Sequence, residues 1–123
     1  MSFARTESVT VTTDASGDAT AYTSGVYNGK VSIVAYTKSD YDNGVDFVVS
    51  GEVTGQLIWD EDNVNSSKTV APRQASHTIA GIASVYAGTD GALTDIFVVN
   101  ERIKFVVAAG GNAKSGAFRV VVA

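Results

Sequence analysis

Residues 101–122 read ERIKFVVAAGGNAKSGAFRVVV, two alternating runs around a Gly-rich connection. In the first run Ile103, Phe105 and Val107 share one face, and Arg102, Lys104 and Val106 share the other. In the second, Phe118, Val120 and Val122 alternate with Arg119 and Val121. A period of two is strand patterning; a helix would space its apolar residues by three and four. The six-residue connection predicts a hairpin between strands 101–109 and 116–122. With Ala109 opposite Gly116, Ile103, Phe105 and Val107 face Val122, Val120 and Phe118. A slip of one residue would send Phe105 and Phe118 to opposite faces, so the core sets the register.

The same pattern extends toward the N-terminus. Residues 7–13 alternate, with Val9 and Val11 on one side and Ser8, Thr10 and Thr12 on the other. Asp14-Ala15-Ser16-Gly17-Asp18 is a turn, and strands follow at 18–23, 30–38, 45–52, 55–59 and 93–99. Asn28-Gly29 has the composition of a tight two-residue hairpin. Residues 60–67 form the longest polar loop. The stretch 77–88 fits a helix face through Ile79, Ile82 and Tyr86, but its Val/Ile content and central Gly81 favour a strand. Strands at 8–12-residue intervals with turn residues between them predict an all-β fold. The expected architecture is a two-sheet sandwich of seven to nine strands, jelly-roll-like rather than immunoglobulin-like, with residues 1–123 forming one domain and residues 1–7 a short N-terminal arm.

Composition narrows the functions. The 123 residues contain no Cys and one His, His77, which removes disulfides and thiolate metal sites. The net charge of −4 opposes approach to a polyphosphate, so no nucleic-acid partner is expected. The charge is uneven: residues 1–62 carry ten acids and three bases, residues 63–123 three acids and six bases. No apolar run is long enough to cross a membrane and no secretory pattern opens the chain, so a soluble protein made in the cytoplasm, without a membrane partner, is expected.

The local motifs carry little chemistry. Residues 108–115 mimic a phosphate loop, but Ala108 and Ala113 stand where that loop has glycine, and a strand follows where a helix should. Asp60-Glu61-Asp62-Asn63 offers oxygen ligands suited to Ca²⁺, and Asp14 with Asp18 does so more weakly. Both lack the glycine-turned spacing of a calcium loop and read better as solvated acids. His77, four residues after Arg73, has no nucleophile motif to serve. Trp59 with Tyr22, Tyr27, Tyr36 and Tyr41 would make a sugar-stacking platform or, more commonly, core. No enzyme and no cofactor are expected. The second faces hold more apolar residues than solvated strands need: Val34, Val48, Ile58, Ile96 and Val98, besides Val106 and Val121. Burial under loops or against another subunit accounts for this equally well, and the second implies a homodimer or homotrimer. The candidate contact residues are Arg102, Lys104, Val106, Arg119 and Val121, read as one basic and partly apolar face of the terminal hairpin.

From about residue 25 to residue 122 the chain resembles the capsid cement or decoration proteins of tailed bacteriophages, a family of small jelly-roll virion proteins. The resemblance is carried by Gly51-Glu52-Val53-Thr54-Gly55, by Ala71-Pro72-Arg73 with His77, and by Asn100-Glu101-Arg102-Ile103-Lys104 leading into Gly110-Gly111-Asn112-Ala113-Lys114-Ser115-Gly116-Ala117-Phe118. It implies a non-enzymatic clamp on the outer capsid surface of the virion, with the major capsid protein as partner and neighbouring capsid subunits bridged. Alternative readings are a neck or tail structural protein and, in another class, a carbohydrate-binding adhesin domain.

Overall fold

A computed structural model describes residues 4–84 and 94–123. Its strands are β1 (Arg5–Thr12), β2 (Ala19–Tyr22), β3 (Tyr27–Lys38), β4 (Val45–Gly51), β5 (Leu57–Val64), β6 (Lys68–Val70), β7 (Arg73–Ala75), β8 (Thr94–Ile96), β9 (Val98–Glu101), β10 (Ile103–Ala108) and β11 (Ser115–Val122). Among the described residues there is no helix. A five-stranded sheet runs β1-β11-β3-β6, with β9 also on β3; a four-stranded sheet runs β2-β10-β4-β5; β7 and β8 form a separate pair. The first strand pairs with the last and the second with the next to last, and all pairings are antiparallel. This nesting is that of a chain folded as one long hairpin and wrapped into two sheets, a jelly-roll-like β-sandwich. The two principal sheets together hold nine strands, the upper end of the expected range.

The core lies between the sheets. Phe105 and Phe118 have ring centroids 5.1 Å apart, Phe118 lies edge-on to Phe47 at 5.0 Å, and Trp59 lies edge-on to Phe47 at 4.7 Å. Ile103, Phe105, Val107, Phe118, Val120 and Val122 are all buried, as their alternation requires.

The terminal strands, however, are not a hairpin. β10 pairs with β2 and β4, and β11 with β1 and β3, so the expected facing residues meet across the core and not within one sheet. The connection that was expected to close a ladder instead spans the gap between sheets. It is held by Thr13, whose hydroxyl donates to Gly111 O at 2.5 Å, and by the Gly110 N–H, which donates to Gly17 O at 3.0 Å.

Other expectations also change. Asn28-Gly29 lies inside β3, opposite Asn100 and Val99 of β9, because β2 and β3 belong to different sheets. β5 continues through Asp60, Glu61 and Asp62 to Val64, so the supposed long loop shrinks to residues 65–67. Val34 and Ile58 are buried. Register irregularities at Val121/Val122 opposite β3 and at Val49/Ser50 opposite β5 shift the alternation and turn these side chains inward. The expected arm ends early, since Arg5 is already paired with Val122. Of the ambiguous stretch 77–88, residues 76–84 form a turn closed by the bridge His77↔Ala83; residues 85–93, with the expected turn at Thr89-Asp90-Gly91, lie outside the described residues.

Candidate functional site

The five candidate contact residues divide between two surfaces. On the outer face of the four-stranded sheet, Lys104 stands between Tyr22 and Ser50, with Leu57 beyond, and Val106 stands between Thr20 and Val48, with Asp60 beyond. On the outer face of the five-stranded sheet, Val121 stands between Thr6 and Ile33, and Arg119 between Ser8 and Ala35. The expected single face therefore does not exist. Because β10 and β11 sit in opposite sheets, their outward side chains point in opposite directions.

The two faces differ in character. Around Lys104 the four-stranded face offers Tyr22, Val48, Leu57 and Val106, with Tyr22 and Leu57 37% and 52% exposed. The five-stranded face sets Thr, Ser and Ala around Arg119, with Val121 beside an Ile33 that is 39% exposed. Lys104 and Arg119 make no ion pair among the described residues. Arg102, by contrast, is engaged: it sits at the crossover between β9 and β10, binds Glu52 through two guanidinium nitrogens, and lies 4.4 Å from the centroid of the Tyr22 ring.

Next to Arg102 is the most buried carboxylate among the described residues. Glu101 is only 4% exposed. Its Oε1 accepts from the N–H groups of Val53 at 2.6 Å and Thr54 at 2.9 Å, and its Oε2 accepts from the Thr54 hydroxyl at 2.8 Å. Burial pushes this carboxyl toward protonation, but the Thr54 and Val53 hydrogen bonds outweigh it and hold its pKa below the ordinary value. The Glu52 N–H donates to Arg102 O at 3.0 Å. Two stretches fifty residues apart, Gly51-Glu52-Val53-Thr54-Gly55 and Asn100-Glu101-Arg102-Ile103-Lys104, are thus tied into one corner. Sequence spacing marks Arg102 and not Glu101, since an isolated Glu in a strand carries no local sign of its partner turn.

The other candidates resolve into structure. The Asp14 carboxylate caps its own turn, accepting from Ser16 N–H at 2.8 Å and Asp18 N–H at 3.1 Å. Glu61 binds Lys68 at 2.6 Å, and the Asn63 N–H donates to the Asp46 carboxylate at 2.8 Å. Among the described residues no group of three metal-ligating side chains forms, and alternation along β5 separates the acids expected to gather around calcium. Trp59, Tyr27, Tyr36 and Tyr41 are buried, so no sugar-stacking platform is assembled and Tyr22 alone reaches the surface. Amides of the phosphate-loop mimic bond to the chain itself: Gly110 N–H to Gly17 O and Ala113 N–H to Asp14 O. His77 is exposed beside a tight turn in which the Thr78 hydroxyl accepts from the N–H groups of Ala80 and Ile82, leaving Ile79 and Ile82 outside.

Set against protein-family models, curated proteins and solved structures, the chain matches none.

Proposed function

We propose that the chain is a non-enzymatic bacteriophage virion protein of the capsid cement or decoration type, which binds the outer shell and bridges major capsid subunits. The observation that supports this most is the corner at Glu101. Two of the stretches that carry the resemblance are bonded to each other there through Glu101, Arg102 and Glu52. The two stretches are therefore neighbours in the fold, which supports reading them together. The contact assigned to the capsid is the outer face of the four-stranded sheet, where Tyr22, Val48, Leu57 and Val106 surround Lys104. Burying a valine contributes about 1.5–3 kcal/mol, whereas an exposed ion pair contributes about 0–1 kcal/mol. Apolar contact therefore carries affinity and Lys104 guides docking.

Binding to shells assembled from the major capsid protein of the same genome tests this. Wild type should occupy the shells, Val106→Asp should lose most of that occupancy, and Val121→Asp and Arg119→Ala should keep it. No occupancy by wild-type protein rejects the capsid reading and favours a neck or tail position. Equal loss from Val106→Asp and Val121→Asp rejects the assignment of the face.

A further inference from the structure

We propose that the chain forms a homodimer through β1, two copies pairing edge to edge and antiparallel about a two-fold axis at Val9, so that their five-stranded sheets become one continuous sheet.

An unpaired strand edge is a template for another strand, and proteins protect such edges by shortness, bulges, charge or proline. Four margins here are protected. β2 and β9 have four residues each and β6 has three. β5 is longer, but it has two register irregularities and carries Asp60, Glu61 and Asp62 in succession. β1 is protected least: its two charged residues, Arg5 and Glu7, lie at one end and are engaged by Tyr27 and Ser24, which leaves Ser8 to Thr12 without charge, bulge or proline. It runs for eight residues in unbroken register from Arg5↔Val122 to Thr12↔Ser115, without Pro or Lys, and its exposed Thr6, Ser8, Thr10 and Thr12 are at ease in a strand.

The hydrogen-bonding groups of this edge are fixed by the ladder behind it. The Thr13 N–H donates to Lys114 O at 2.8 Å, directly across the β1–β11 register. Bonding alternates along an antiparallel strand, so odd-numbered residues of β1 turn toward β11. The N–H and C=O groups of Thr6, Ser8, Thr10 and Thr12 point to the open side. Among the described residues no other strand pairs with β1, and no turn or loop backbone bond uses these groups.

A second copy satisfies them in one register better than in any other. The open groups belong to even-numbered residues, so only registers pairing even with even make bonds; these also keep the apolar faces of both copies on the same side. With the axis at Val9, Thr6 meets Thr12 of the second copy and Ser8 meets its Thr10, and every open N–H and C=O between them is used. Moving the axis to Ser8 carries Thr12 past the end of the partner strand. On the outer face the Val9 register brings together Thr with Thr and Ser with Thr, pairs that favour strand association. On the inner face it brings Val9 to Val9 and Glu7 to Val11, so no like charges meet. A two-fold contact of this kind closes at two copies and excludes a trimer through the same edge. Its axis is perpendicular to the sheet, so both four-stranded sheets lie on one side. Were that face the shell contact, a dimer would engage two capsid subunits at once and gain from effective concentration. The dimer itself does not depend on that reading.

Light scattering on the purified full chain, without capsids, tests the proposal. Wild type should have twice the 12.7 kDa mass of one chain. Thr10→Pro removes an N–H that faces only the second copy, a position where an edge strand tolerates proline; it should halve the mass with an unchanged far-ultraviolet circular dichroism spectrum. The register is read with charge pairs. Thr6→Lys with Thr12→Lys, and Thr6→Glu with Thr12→Glu, should each be monomeric alone and should return to the double mass when mixed in equal amounts. A wild type that stays at single-chain mass or forms a trimer, or a folded Thr10→Pro protein that keeps the double mass, overturns the proposal. A charge-pair mixture that fails to recombine overturns the Val9 register.

Discussion

Removing the Glu101 carboxylate should loosen the corner that ties β4 and β5 to the start of β10, and the cost follows from its three partners. Hydrogen bonds to charged groups contribute about 1.5–3 kcal/mol each when buried, but Val53 and Thr54 lie in an exposed turn, where water replaces part of the loss. Glu101→Gln keeps the shape and one acceptor oxygen, so it should cost about 1–2 kcal/mol. Glu101→Ala also leaves a void and should cost about 2–4 kcal/mol. Gly51 supplies a sharper test. A Cβ on Gly51 would stand 2.5 Å from Glu101 Oε1 and 2.6 Å from its Cδ, closer than atoms approach without displacement. Gly51→Ala should therefore cost about 1–3 kcal/mol through overpacking. In the Glu101→Ala background the same change should be neutral or stabilising by up to about 1 kcal/mol, because alanine restricts the unfolded chain. Urea unfolding of the four proteins completes the cycle. The pH dependence has a definite sign: with the folded pKa held below the ordinary 4.5, the stabilisation is complete above pH 4.5 and is lost as pH falls through the folded value. Wild type should thus lose stability below pH 4.5 more steeply than Glu101→Gln. If Gly51→Ala costs the same in both backgrounds, or if the two acid profiles coincide, the clamp is not what holds this corner.

At alkaline pH the tyrosines should govern unfolding. Burial pushes the Tyr41 hydroxyl up to about 12, and it donates to Val11 O at 2.5 Å. The stabilisation is intact below pH 10 and is lost as pH rises toward 12, so tyrosinate absorbance should appear together with unfolding and not before it. Tyr41→Phe should cost about 0.5–1.5 kcal/mol at neutral pH and shift that alkaline transition, read by the same absorbance. Gly116→Ala should cost about 1–3 kcal/mol in thermal or urea unfolding, because its new methyl group would collide with the Tyr41 ring, which stacks on Tyr36 at 6.2 Å.

Much of the candidate surface was legible and its arrangement was not. Alternation placed Lys104 and Val106 on the outward side of one strand and Arg119 and Val121 on that of another, and each of these residues does face outward. Alternation says nothing about which sheet a strand joins. Glu101 was hidden for a related reason: its partners Val53 and Thr54 lie almost fifty residues away, and only the packed corner makes an ordinary strand residue a buried clamp. Val34 and Ile58 were misassigned because a bulge resets the phase of a strand, and bulges depend on the neighbouring ladder.

What the sequence determined by itself was the class of structure and most of its interior. Period-two patterning, turn residues at short intervals and the absence of helical periods specify strands, and they place Ile103, Phe105, Val107, Phe118, Val120 and Val122 in the core. What only the tertiary structure decided was partnership. Neighbouring strands lie about 4.8 Å apart and packed sheets about 10 Å apart, and a six-residue connection, reaching up to roughly 20 Å when extended, spans either distance. Closing a hairpin and crossing the core are therefore equally open to residues 110–115 as a local segment. The choice is made by Thr13, Gly17 and Asp42, which bond to the crossing connection, and by β1, β2, β3 and β4, which fill the places beside β10 and β11.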